Sequence, residues 1–207
     1  MSEKLSRGCS SSSHNKSAAT GGDVITTRIS KSLSFYLRHG GKKKGLHLDQ
    51  QGWASFQNLK TLPEFSKLSS DVIRELVHNC PKQRFAVKDE GGELFIRANQ
   101  GHSLQEVELE LEELSAENLP SVVVHGTYMR HWDAIKATGL NCMSRAHIHF
   151  APGLPDSTGV ISGMRRTCQL HIYVDAAAAI ADGFKFYRSA NNVILCPGDA
   201  AGYLPAR

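Results

Sequence analysis

The sequence predicts an α+β protein of two unlike lobes joined by an acidic connection. Three observations predict it. Residues 24–98 hold three apolar patterns at helical spacing and then a period-two hairpin pattern. Residues 120–207 hold short β-type apolar runs interrupted by one or two helical patterns. Between them, residues 106–117 carry six glutamates and no basic residue. The expected organisation is a disordered tail over 1–23, a first lobe over 24–105, an acidic linker over 106–119 and a second lobe over 120–207.

The tail is rich in Ser, Gly, Ala and Asn and has almost no large apolar residue, so it buries too little surface to offset its ordering entropy. From Val24, the spacing of Ile29, Leu33, Tyr36 and Leu37 predicts a helix capped by Thr26 or Thr27 and ended by Gly40-Gly41. Arg38 and His39 then fall in its last turn, where the negative end of the helix dipole would favour a protonated histidine. A short helix is expected over 54–60. Ser70-Asp71 opens a third, with Val72, Ile73, Leu76 and Val77 on its buried face and Pro81 beyond its end. Phe85 and Val87 alternate with polar residues, Asp89-Glu90-Gly91-Gly92 turns, and Leu94 and Ile96 alternate back. Three helices and a hairpin make a winged-helix pattern, a common frame for nucleic-acid binding.

The acidic run is expected to cross to the second lobe as a strand or loop. Val122 to Val124 reads as a buried strand ending in His125-Gly126-Thr127. Trp132, Ile135 and Leu140 predict a short helix closed by Gly139. His147 to Phe150 and Leu170 to Val174 are expected strands, an Ala-rich helix follows to about Ala181, and Val193 to Leu195 is the expected last strand.

Composition narrows the class. The formal net charge is +4, and residues 1–105 hold 16 Lys and Arg against 9 Asp and Glu. A basic first lobe suits a polyanion such as RNA. No apolar run reaches the ~20 residues that span a bilayer, so no membrane partner is expected. Five scattered cysteines without a CxxC pair point to reduced thiols, hence a cytoplasmic or nuclear compartment, and away from zinc. No metal is expected.

Two Arg-centred clusters carry the candidate chemistry. One is Arg38-His39 with Lys82-Gln83-Arg84; the other is His125-Gly126-Thr127 with Arg145 and His147-Ile148-His149. A guanidinium donates paired hydrogen bonds and stays charged, which suits phosphate. An isolated Arg-His pair at a helix end is ordinarily surface, so the pair gains meaning only with its companions. Gly126 lets a ligand approach the backbone, while His125 and Thr127 offer hydrogen bonds. His147 and His149 share a strand face. Asn99-Gln100-Gly101-His102-Ser103 is either a plain turn or the lining of a cleft between the lobes. Ser162-Gly163-Met164-Arg165-Arg166 is a candidate phosphate-gripping loop, though not a P-loop.

In order, the segments Leu33 to His39, Asp49 to Trp53, Lys82 to Phe85, Ile96 to Ser103, His125 to Thr127, Arg145 to His149 and Gly163 to Arg165 resemble the RNA 2′-phosphotransferase (tRNA 2′-phosphotransferase) family of the KptA/Tpt type. The resemblance runs from about Ile29 to about Leu195. It implies a winged-helix RNA-binding lobe and an NAD-binding lobe like that of ADP-ribosyltransferases. It implies removal of an internal 2′-phosphate from RNA, typically at a tRNA splice junction. NAD⁺ would be the co-substrate, an ADP-ribosylated RNA the intermediate, and nicotinamide and ADP-ribose 1″,2″-cyclic phosphate the products. The family's catalytic set falls on Arg38, His39, Arg84 and Arg145, with Lys82 beside them at the RNA phosphate. Its NAD-side residues fall on His125, Gly126, Thr127 and His149, with Ser162 and Arg165 near the pyrophosphate. Val193 stands where ADP-ribosyltransferases carry a glutamate. Phe150-Ala151 departs from the Leu-Ser usual after the His-X-His strand. The expected partner is a 2′-phosphorylated RNA, and the expected state a monomer. Two other readings stay open: an NAD⁺-dependent ADP-ribosyltransferase that caps terminal phosphates of RNA or DNA, and a non-catalytic winged-helix nucleic-acid-binding module.

Overall fold

The computed structural model describes residues 21–104, 106–155, 160, 163–165 and 167–206. Residues 1–20 of the expected tail, and Ser162, lie outside the described residues. The architecture is α+β, as the two pattern types in the sequence require.

Helix α1 runs Gly21–Phe35, opening before the expected Thr26 or Thr27 cap, and passes directly into a π turn over Tyr36–Gly40. The wide turn needs glycine behind it: a Cβ on Gly41 would stand 2.3 Å from the Tyr36 carbonyl oxygen. Strand β1 (Ala54–Ser55) leads into α2 (Phe56–Leu59), whose start is capped by Ser55 Oγ accepting from the Asn58 amide at 3.1 Å. Helix α3 (Ser70–His78) is capped in the same way by Ser69. It buries Ile73 and Leu76, with Val77 packed at the margin, but Val72 is exposed. The expected four-residue face is therefore narrower by one, because only one stripe of so short a helix meets the sheet.

Strands β2 (Phe85–Glu90) and β3 (Glu93–Ala98) pair antiparallel from Phe85↔Ala98 to Glu90↔Glu93. Gly91 and Gly92 link them with φ of 59° and 80°, the left-handed pair that a two-residue type I′ hairpin demands. With β1 they form a three-stranded sheet in the order β1-β3-β2. Leu33, Leu37, Leu59, Phe65, Ile73 and Ile96, all essentially without solvent exposure, lie in one continuous core against it.

The acidic run is no free linker. Glu112–Leu114 forms β4, and its neighbours pair on both sides. Glu106 meets Lys42 and Glu110 approaches Arg97 in the N-terminal half, while Glu112 and Glu113 meet Arg188 and Lys185 in the C-terminal half.

The C-terminal half contains β5 (Val124–Thr127), α4 (Trp132–Thr138), β6 (Leu140–Asn141) and β7 (Ile148–Phe150). It continues with β8 (Leu170–Tyr173), α5 (Ala176–Ala181), β9 (Phe186–Arg188), β10 (Ile194–Cys196) and β11 (Tyr203–Leu204). The main sheet has the order β4-β9-β10-β7, and pairs β5-β8 and β11-β6 flank it. A bridge between Val124 and Ala151 hooks β5 to the end of β7. Phe150, Phe186, Ile194 and Ile148 fill a second core. Strands β6, β9 and β11 were not anticipated, and β10 is followed by β11 instead of closing the chain. Val122 and Val123 precede β5 and do not extend it. Among the described residues no helix is long and apolar enough to cross a membrane.

Gly139 ends α4 at φ 87° and ψ −171°, a region open only to glycine, and a Cβ there would stand 2.1 Å from the Leu204 carbonyl oxygen. Gly183 has a similar φ of 93°, but nothing lies within 4 Å of its Cβ position. Gly183→Ala should therefore cost about 1–2 kcal/mol from backbone strain alone. Gly139→Ala should cost clearly more, because it also pushes β11 off β6. Urea midpoints of the two variants measure the difference.

Candidate active site

Each arginine of the two clusters reaches the site by a different local device. Arg38 is delivered by the π turn, which rotates it into the protein, where 9% of its surface stays exposed. Its guanidinium lies along Gly101, where a Cβ would stand 3.6 Å from Nε and Cζ. Its carbonyl oxygen accepts from the Ser103 amide at 3.0 Å. Arg84 follows Gln83, a non-glycine residue held at φ 43°. Asn99 clasps that strained turn: its Nδ2 donates to the Gln83 carbonyl at 2.6 Å, and its amide donates to the Arg84 carbonyl at 2.9 Å. Arg145 sits on the loop between β6 and β7. The next amide in that loop, Ala146, donates to the His102 carbonyl at 3.0 Å.

These devices place Arg38, Arg84 and Arg145 on one cavity of about 490 Å³. Lys82, Arg130 and Arg165 line it as well, and no carboxylate does among the described residues. Burial pushes the Arg38 guanidinium down to about 10, and the charges of Arg145 and Arg84 add to the effect. Arg145 is also lowered, by burial first and then by Arg165. Arg38 remains charged at neutral pH, yet its Nε and Nη2 are buried with no hydrogen-bond partner among the described residues. Buried donors of a cation are rarely left unpaired. Their geometry suits an anion with several acceptor oxygens.

Three histidines of this cavity, His125, His147 and His149, are held neutral. His149 donates from Nε2 to Gln100 Oε1 at 2.8 Å and is pushed down to about 3 by burial, with Arg145 adding. His125 is lowered by burial and donates from Nδ1 to the His149 carbonyl at 2.9 Å, so its Nε2 is the acceptor nitrogen. His147 is lowered by burial and shares the cavity with His149, although it precedes β7 and the expected common strand face does not form. His39 bonds Ser103 Oγ through Nδ1 at 2.9 Å. The expectation of a protonated His39 at the helix end is overturned: burial, then Arg38 and Arg145, lower its pKa. Burial, with two nearby guanidiniums adding to it, outweighs the dipole of one turn.

Of the sequence-derived candidates, Arg38, Lys82, Arg84, His125, Gly126, Thr127, Arg145, His149 and Arg165 all line the cavity. His39 does not line it but adjoins it through Arg38 and Ser103. Ser162 lies outside the described residues. The structure needs glycine at 126 for a different reason from the one expected: Met164 fills the space beside it, 2.2 Å from where a Cβ would be. Lys82 donates from Nζ to the Met164 carbonyl at 3.2 Å, and its own carbonyl accepts from Asn191 Nδ2 at 3.0 Å. It thus joins the two halves of the chain besides adding charge. Of the Asn99 to Ser103 segment, Gln100 lines the cavity, while Asn99 and Gly101 hold Arg84 and Arg38 in place from behind it. Val193 is fully buried beside the Ser189–Asn191 turn, away from the cavity. Sequence reasoning missed Tyr128, Arg130 and His131. The repeated Arg-His dipeptide was the available signal.

A family model described as RNA 2′-phosphotransferase, Tpt1/KptA family, matches residues 25–198. The tRNA 2′-phosphotransferase 1 of Danio rerio is 48% identical over 181 residues, covering 86% of this chain and 80% of that protein. The tRNA 2′-phosphotransferase 1 of Homo sapiens is 47% identical over 180 residues, covering 86% and 71%. A probable RNA 2′-phosphotransferase of Rhizobium leguminosarum is 36% identical over 181 residues, covering 87% and 94%.

His102 gives the site a pH signature. It is 3% exposed, neither ring nitrogen has a partner among the described residues, and its pKa is pushed down to about 4 by burial and then by Arg38. An unfolded histidine takes its proton near 6.5, so the fold binds fewer protons than the unfolded chain below that pH. The contribution is fully present above about pH 6.5 and is lost as the pH falls towards 4, in all about 3 kcal/mol. Urea midpoints measured from pH 7.5 to 4.5 should fall more steeply for the native chain than for His102→Leu. Parallel curves would contradict the assignment.

Proposed function

The chain belongs to the RNA 2′-phosphotransferase, Tpt1/KptA family, and on that footing we propose that it removes a 2′-phosphate from RNA, tRNA included, at the expense of NAD⁺. The observation that carries the proposal is the buried Arg38 guanidinium, which has two nitrogens without a partner among the described residues and lines a cavity it shares with Arg84 and Arg145. The N-terminal half is read as the winged-helix RNA-binding lobe, supported by three helices and the β1-β3-β2 sheet. The C-terminal half is read as the ADP-ribosyltransferase-like lobe. The residues there fit a dinucleotide. The cavity has the volume of a small-molecule site, and the neutral His125 and the Thr127 hydroxyl offer directional hydrogen bonds beside it.

NAD⁺ supplies an electrophilic ribose carbon with nicotinamide as its leaving group. The RNA 2′-phosphate, held by Arg38, Arg84 and Arg145, attacks that carbon through an oxygen, and nicotinamide departs. A phosphate dianion is already a nucleophile, so the step needs no carboxylate base, in keeping with a cavity lined by none among the described residues. The neighbouring ribose 2″-hydroxyl then attacks the phosphorus. The RNA 2′-oxygen leaves, and the phosphate departs as the ADP-ribose 1″,2″-cyclic phosphate. Negative charge grows on the phosphoryl oxygens in this second step. Preplaced donors that need no reorganisation contribute about 3–4 kcal/mol each.

His39 is assigned the proton traffic. It is neutral in the free protein because burial and two guanidiniums hold its pKa down. A bound phosphate dianion offsets those cations and raises it, so His39 can carry a proton to the departing 2′-oxygen.

Incubating the protein with NAD⁺ and an RNA bearing one internal 2′-phosphate, then separating the products by chromatography, tests the reading. The native chain should yield dephosphorylated RNA and the cyclic phosphate; accumulation of ADP-ribosylated RNA alone would instead identify a phosphate-capping transferase. Arg84→Ala should slow the second step by about a hundredfold or more and let the ADP-ribosylated RNA accumulate. Lys60→Ala, in which the lost ammonium lies over the Phe56 ring far from the cavity, should change little. Native turnover by Arg84→Ala would refute the arginine's role.

A further inference from the structure

A second cavity of about 390 Å³ lies between α1 and the end of α3 and shares Arg84 with the first. Its chemistry differs from that of an ordinary surface hollow. One wall is the polar face of α1, where Thr27, Ser30 and Lys31 stand three and four residues apart and so project together. The floor is apolar, with Leu76 of α3 and Pro81 beyond it. Arg84 belongs to both cavities and is the point at which they meet. No carboxylate lines the second cavity among the described residues. The reaction assigned above uses none of these residues except Arg84.

Hydroxyls and an ammonium above an apolar floor match a nucleoside carrying a phosphodiester: the ribose or base rests on Leu76 and Pro81 while Lys31, Ser30 and Thr27 meet the phosphate oxygens. We propose that this cavity binds the nucleotide next to the phosphorylated ribose, with Lys31 on its backbone phosphate. The proposal rests on the RNA 2′-phosphotransferase reading of the first cavity and extends it. Arg84 would then stand between the reacting 2′-phosphate and the adjacent phosphodiester, and the protein would read an RNA strand and not an isolated 2′-phosphate.

The experiment is steady-state turnover of an eight-nucleotide RNA with one internal 2′-phosphate, at saturating NAD⁺ and several salt concentrations. The proteins compared are the native chain, Lys31→Glu and Lys31→Arg. Lys31 is exposed and on the solvent face of a helix, so neither change threatens the fold. Lys31→Glu should raise KM about tenfold and leave kcat unchanged. It should also flatten the slope of log KM against log salt by about 0.7, the signature of one lost phosphate contact on a single strand. Lys31→Arg should restore both. An unchanged KM and salt slope, or a fall in kcat with KM unaltered, would overturn the proposal while leaving the reading of the first cavity intact. If the native chain itself fails to dephosphorylate the octanucleotide, that reading falls and the proposal falls with it.

Discussion

Guanidinium groups gathered in a partly buried cavity without a counter-charge are the constraint on which the site depends. Arg38 and Arg145 lose hydration, and Arg38 is repelled by Arg145 and Arg84; both effects are visible in its lowered pKa. The cost is not relieved by deprotonation, because a guanidinium pushed down to about 10 is still charged at pH 7. Nor is it relieved by a carboxylate, since none lines the cavity among the described residues. A phosphate group is the natural complement, with enough oxygens to satisfy Arg38 Nε and Nη2 and enough charge to offset its neighbours.

Holding such a cluster together is the work of uncharged contacts. The halves of the chain are pinned by Asn191 to the Lys82 carbonyl, by His149 to Gln100, and by the Ala146 amide to the His102 carbonyl. The first two involve side chains that are largely buried, where a neutral hydrogen bond is not screened and a lost partner is costly. The glutamates of the acidic run act at a distance from these pins. Their ion pairs to Lys42, Arg97, Lys185 and Arg188 are largely exposed and individually contribute little. Their position matters more than their strength. They fasten the connecting segment to both halves while keeping carboxylates out of the cavity.

The balance between local and long-range causes explains what the sequence disclosed. Arg38, Arg84 and Arg145 were legible because each sits in a local pattern: a helix end, a strand start, and the residue ahead of a His-X-His strand. The hairpin was legible because Gly91-Gly92 has one good solution. His39 was misread because its pKa is lowered first by burial and then by Arg38 and Arg145, and burial is set by how the two halves pack and not by the helix alone. The π turn left no mark in the apolar spacing, since Leu33, Tyr36 and Leu37 fit an α-helix as well. Strands β6, β9 and β11 have two or three residues each, too few for a period to show. Asn191 gave no local hint, because its partner is the backbone of Lys82.

A division of labour follows from the same electrostatics. The groups that hold charge are guanidiniums, which do not titrate near neutrality, so the pull of the cavity on an anion is steady across that range. The histidines His102, His125, His147 and His149 are depressed and neutral, and they serve as hydrogen-bonding and packing groups. His39 differs from the two deepest of them in degree. It is less buried than His102 and His149, is tied to one hydroxyl, and lies next to the cation whose charge a bound phosphate would offset. Taking up a proton when an anion arrives therefore costs His39 less desolvation than it would cost His102 or His149. On the proposed reading, proton transfer by His39 would be coupled to occupancy of the arginine cluster.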